Sequence, residues 1–445
     1  MPAKTNKGQM YIGLIISLGI FTILSQAVIT LVVSAYDLII YTRTRTVARH
    51  LVEEELEIIR NAPYDQVGTV GGIPAGNFAQ EQTTDRNGLT YTLRTTIVYI
   101  DDPFDGFSPT DTLPVDYKRV RVDAYWGGVG GVTPNKYTLY SDIAPRGVET
   151  IEGGGTLSVL VFNADAEPVP QASVHVVASS ASPPVDQTYQ TNDNGRVVLP
   201  GAPICSSCYE ITVTKSGYST DKTYGTASVA NPVRPHATIL EAQLTEVSFA
   251  IDQFASLTIN TYGSRDSNFP PLGGQVVRVY GDKIIGTDSL DNNVYKFDQE
   301  IVTDTGGGLS IDELEWDNYH FEMPEDSIYN VSGTNIPIPL LVTPDENISL
   351  SMALEPESDN NLLVTFTDVG DNPIASVSAQ LKLGPIFTAS ESSGINGSPD
   401  FGQIFFDTLD PATYVLEATA GGFVDFSGNI NVSGVTLETI ILNSP

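Results

Sequence analysis

An α+β fold is predicted: one long N-terminal helix, a small antiparallel β head, then a tandem run of all-β sandwich units. Three observations predict it. No charged residue occurs from Gly8 to Tyr36. Glycine and proline, 39 and 28 of 445 residues, suit short strands joined by tight turns better than long helices. A strand pattern recurs at intervals of about 100 residues, a usual domain size. A chain this long exceeds what one hydrophobic core holds.

The helix comes first. QMYIGLIISLGIFTILSQAVITLVVSAY is longer than the roughly 20 residues that cross a bilayer. MPAKTNKG precedes it, short and basic through Lys4 and Lys7, which favours a cytoplasmic N-terminus and an outward remainder. The apolar run ends in no small-residue cleavage site of the secretory kind. It continues through DLIIYTRTRTVARHLVEEELEIIRN with helical periodicity: Ile29, Val33, Tyr36, Ile40, Val47, Leu51 and Ile58 fall near one line at 100° per residue. Asn61-Ala62-Pro63 stops it. The predicted helix occupies 9–61 behind a leader at 1–8. Its front half suits lipid or a helix bundle, and its rear half suits packing on a head.

A basic leader ending in glycine, an uninterrupted apolar helix and an amphipathic extension resemble the type IV pilins and pseudopilins. The resemblance covers about 1–150. It implies cleavage by a prepilin peptidase between Gly8 and Gln9, with methylation of the new N-terminus, and a filament core of bundled helices. Partners would be other pilin-like subunits, the peptidase, the pilus assembly machinery and the membrane. The family usually begins its mature chain with Phe or Met and carries Glu at the fifth position; here Gln9 and Gly13 stand there. The other interpretation of the same residues is an uncleaved signal anchor.

The head is expected at 62–150. YDQVGTVGGIPAGNF reads as a glycine-rich linker. LTYTLRTTIVYI, YKRVRVDAYW and KYTLYSDI read as strands; in the second, Val120, Val122, Ala124 and Trp126 share one face and Arg119, Arg121 and Asp123 the other. Between the first two strands lie Asp101, Asp102, Asp105, Asp111 and Asp116. Several carboxylates in one loop can wrap a calcium ion, the one cofactor considered, or they can supply turns and local hydrogen bonds.

Three units are expected at 152–248, 252–356 and 360–445. Each opens with a related strand, TLSVLVF, SLTINTY or LLVTFTD. A proline-containing loop and a Val-rich strand follow, then a Tyr-led strand (CYEITVT, NYHFEM, TYVLEAT), then a closing alternating run (HATILEAQL, NISLSMALE, VTLETIIL). The first and third resemble carboxypeptidase regulatory-like domains, the second more weakly. That resemblance implies small sandwiches of immunoglobulin-like or prealbumin-like kind, without a carboxypeptidase's zinc chemistry. Cys205 and Cys208, the only cysteines, suggest a local disulfide outside the cytoplasm; a zinc site would need two further ligands.

The net charge of −32 argues against nucleic acid as partner. Four scattered histidines and the absence of a catalytic motif in a supporting context give no expectation of an enzyme. The function expected is a structural subunit, minor or at the tip, of a type IV pilus-like surface filament whose β units adhere or space. The alternative is a membrane-anchored surface adhesin that does not polymerise. Location would be the cytoplasmic membrane, single pass with the C-terminus outside, and then the extracellular filament.

Overall fold

The computed structural model describes residues 7–100, 116–127, 135–145, 154–384 and 387–445, with side chains from residue 16 onward. Helix α1 spans Lys7–Arg60 without a break, about 80 Å at 1.5 Å per residue. Four antiparallel strands follow, β1 (Glu81–Arg86), β2 (Leu89–Ile100), β3 (Tyr117–Trp126) and β4 (Asn135–Ile143), in that spatial order. Strand β1 carries EQTTDR, whose lack of apolar alternation gives no strand signal in the sequence; its backbone completes the sheet edge beside β2.

The rear of α1 lies on this sheet. Ala48, Leu51, Val52, Leu56 and Ile59 are buried against Leu93, Ile97, Val120, Val122 and Trp126. Ile58, expected on the packing face, is 53% exposed. The buried face is turned by about one residue from the line drawn through the apolar half. Four of the seven residues on that line, Ile29, Val33, Tyr36 and Ile40, are exposed, whereas the sheet chooses the face at the rear.

The expected linker is also different in kind. After a 3-10 turn at Tyr64–Gln66, the chain wedges between the head and the first β unit. Ile73 is 1% exposed and belongs with Tyr99 to that unit's core. The Ile73 amide donates to Tyr189 Oη (3.0 Å), Thr69 Oγ1 to Gln187 Oε1 (2.8 Å), and the Asp186 amide to Gly71 O (2.7 Å). Glycines allow the close approach. At Gly201, φ is +69°, and an added Cβ would lie 2.9 Å from the Tyr99 ring.

The three β units share a core set of strand pairings. In each, the opening strand (155–162, 255–262, 361–367) pairs in parallel with the closing strand (244–250, 347–356, 435–441) and antiparallel with another (196–202, 308–314, 403–406). The second sheet is centred on 173–178, 276–281 or 378–383, each flanked by the Tyr-led strand and by 185–190, 298–302 or 387–392 respectively. The weakly matching second unit adds to this plan: the hairpin 284–287/293–295 precedes 298–302 and pairs with 231–232, and 329–334 lies beside 347–356 as a fourth strand of the first sheet. Alternating apolar residues of both sheets meet in the cores, as period-two strands dictate.

Candidate functional site

The front of α1 is the feature in need of explanation. Its most apolar 18-residue stretch has a mean hydropathy of 2.2, and none of it is buried. Phe21, Ile23, Leu31 and Leu38 are 66, 71, 70 and 65% exposed. A continuous sleeve of large apolar side chains far exceeds the few hundred Å² that soluble surfaces leave open, so it calls for a cover of lipid or protein. Thr22, Thr30 and Thr42 do not break it, because each hydroxyl donates to a carbonyl three or four residues back.

The boundary of the sleeve is sharply polar. Arg49 pairs with Glu53 (2.8 Å) and Arg45 lies 5.8 Å from the Tyr137 ring centroid; at the far end of α1, Arg60 pairs with Glu57 (2.7 Å). Tyr41 and Tyr91 flank Trp126 at centroid distances of 6.5 and 6.1 Å. Tyr41, 43% exposed, has a ring apolar in body and polar at the tip that suits the passage from a greasy to a wet environment; Tyr91 and Trp126 are buried in the head's core.

Below the boundary sits a buried cation. Lys118 is 1% exposed, donates to Tyr64 O at 2.8 Å, and lies 4.3 Å from the Tyr64 and 5.3 Å from the Tyr99 ring centroid. Burial lowers its pKa to about 8, with Asp65 opposing the shift.

Of the residues singled out in the sequence, Gly8 and Gln9 lie in the first helical turn of α1. Asp101, Asp102, Asp105 and Asp111 lie outside the described residues. Asp116 is half-buried beside β3, its amide donating to Ile100 O at 3.0 Å. Among the described residues, no three His, Cys, Asp or Glu side chains come together as metal ligands would. Elsewhere aspartates close turns: Asp304 Oδ1 accepts from the Gly306 and Gly308 amides (2.7 and 2.9 Å), Asp368 Oδ1 from Gly370 and Asn372 (2.8 and 3.0 Å). Cys205 and Cys208 are joined as a disulfide at the start of the strand 205–214. Ile239 pairs with Cys205 and Ala237 with Tyr209, so the bridged loop is a bulge in the sheet.

Residues not anticipated from the sequence join the units. Segment 231–232 pairs with 284–287 of the next unit. Lys296 bonds Glu315 at 2.6 Å and lies 4.0 Å from Asp221 across the boundary. At the last boundary Arg265 reaches Asp400 and the Ser392 and Gln403 carbonyls, and the Thr334 amide donates to Gln403 Oε1 at 2.6 Å.

No protein-family model matches the chain, and no curated protein matches it. Similar solved structures include the Bacillus anthracis TIE protein, at 12% identity over 82% of this chain and 73% of that one, with a TM-score of 0.19. A Streptococcal ancillary pilin is 11% identical over 66% and 99%, TM-score 0.17. The pilus adhesin SpaC of Lactobacillus rhamnosus GG is 12% identical over 82% and 52%, TM-score 0.18. Scores this low carry no conclusion about the fold or function of this chain.

Proposed function

We propose that the chain is a structural subunit of a type IV pilus-like surface filament, minor or located at the tip. The exposed front of α1 is covered by sister helices in the filament and by lipid before assembly. The observation that carries this is one unbroken helix, bare and apolar in front, clamped to a sheet behind. A helix meant only as a tether needs no continuity with the head; one that transmits load along a filament does. The latched boundaries between units support a projecting stalk, with adhesion or spacing as its work and no catalysis. The chain would cross the membrane once, C-terminus outside, until prepilin peptidase cleaves it and the assembly machinery takes it up.

Gln9 and Gly13 favour a second reading, an anchored adhesin that is never processed. Mass spectrometry of the chain isolated from its own cells separates the two. A mature N-terminus at Gln9, methylated, is expected. An intact Met1 would end the filament assignment and leave the anchor. Calcium binding by the 101–116 loop belongs to the same proposal: the head should melt at a higher temperature with millimolar calcium than with chelator, and equal melts dismiss it.

A further inference from the structure

We propose that the cleft between the outer face of the head sheet and the first β unit binds a neutral oligosaccharide. Its volume is about 730 Å³, within the range of small-ligand sites. The strand register builds its head wall in rows: Thr96, Arg121 and Tyr140 stand opposite one another across β2, β3 and β4. Val98 and Val198 give it apolar floor, and Ser173, Thr188 and Thr212 line the facing unit.

One ring supplies an exposed stacking surface: Tyr140 is 60% exposed, with the Arg121 guanidinium 5.9 Å from its centroid. The half-buried Tyr125 already carries Arg94 at 5.9 Å and Lys136 at 5.7 Å from its centroid. A sugar lays its C–H face on such a ring and leaves its hydroxyls for the rim.

The charges decide the class of ligand. Arg94, Arg119, Arg121 and Arg196 gather here although lysine and arginine total only 22 in the chain. Each already holds a carboxylate: Glu81 at 3.0 Å, Asp142 at 2.7 Å, Asp123 at 2.9 Å and Glu246 at 3.1 Å. The local field is therefore cancelled, and a net charge of −32 repels anions at longer range. A polyanion gains little in this cleft. What the ion pairs leave is a close set of donors and acceptors held in fixed orientation. Hydroxyl groups, which donate and accept at once, match it.

The proposal does not depend on polymerisation, since the cleft is the same in a filament or on an anchor. The test is calorimetric titration of the full-length chain in a detergent without a sugar headgroup. The probes are neutral hexose and N-acetylhexosamine oligosaccharides of two to four units, with uronic-acid oligosaccharides of equal length as the comparison. Saturable binding of a neutral probe is expected, weakened about tenfold by Tyr140→Ala, the loss of one stacking contact. Arg94→Ala, at another exposed position, should weaken it too, and unchanged melting shows that both variants fold. No saturation with any neutral probe at millimolar concentration overturns the proposal. So does binding confined to the uronic acids, or a neutral probe indifferent to both substitutions.

Discussion

Single residues do the same work three times in this chain. Tyr209, Tyr319 and Tyr414 are each at most 1% exposed. Each donates its phenol to a carbonyl a few residues upstream, Pro203 O at 2.6 Å, Glu315 O at 2.8 Å and Asp410 O at 3.0 Å. Burial raises the pKa of Tyr209 and Tyr319. Three buried hydroxyls, Thr191, Thr303 and Ser393, each receive an amide from the loop before the Val-rich strand, those of Ala172, Gln275 and Val377. Tyr319→Phe should cost about 1 kcal/mol, because it leaves a carbonyl unpaired while keeping the ring; urea melts with no shift in midpoint would contradict this. Lys118 makes a signed prediction. Its native pKa of about 8 lies below the 10.5 of the exposed group, so the unfolded chain binds more protons between those values. The burial penalty is full below pH 8 and fades as pH rises toward 10.5. The stability advantage of Lys118→Met should accordingly shrink between pH 7 and pH 10, measured as the difference between paired denaturant melts. A constant difference would refute the assignment.

At the scale of elements, α1 is two helices in physical terms, although its backbone is one. Among the described residues the large apolar side chains of the front stay exposed; the rear is half of the head's core. Val52→Asp would bury an unpaired carboxylate beside the sheet and should destabilise the head by about 3 kcal/mol or more. Ile58→Asp, on the solvent side, should change it by less than about 0.5 kcal/mol. Thermal melts of the two variants in detergent check the pair, and equal losses would mean that the buried face is misassigned. The head sheet is likewise used on both faces. Asp123 is 3% exposed on the face that reads as polar in sequence, held by Arg121, by Lys136 at 3.4 Å and by the Thr138 hydroxyl.

For the whole molecule, the boundaries matter more than the units. A chain of sandwiches on flexible linkers would flail, and domain motion is the default when interfaces are small. Here each boundary is tied: Ile73 in the first unit's core, segment 231–232 in a sheet with 284–287, and Arg265 on Asp400. Asp400 is 4% exposed, so Arg265→Ala would strand a buried carboxylate. Small-angle scattering of that variant should show a broader distribution of end-to-end lengths, with each unit's own fold intact by circular dichroism. An unchanged distribution would show that this contact is not what aligns the last two units.

The sequence by itself determined the elements whose signal is local or periodic. The long apolar helix, the strands β2, β3 and β4 and the opening and Tyr-led strands of each unit were legible, because hydrophobic period and turn residues act over a few positions. The closing strand of the first unit was not, since HATILEAQL gives 237–239 to the Tyr-led strand and 244–250 closes the unit. What it left open was decided only by tertiary structure. Edge strand β1 forms because β2 offers a free backbone ladder, which needs no apolar code. Ile73 sits in a core that lies more than eighty residues further along, and Arg94 and Arg196 line one cleft from two different sheets. Such contacts depend on how finished sheets dock, and docking is set by the shapes of whole faces, which no short window of residues encodes.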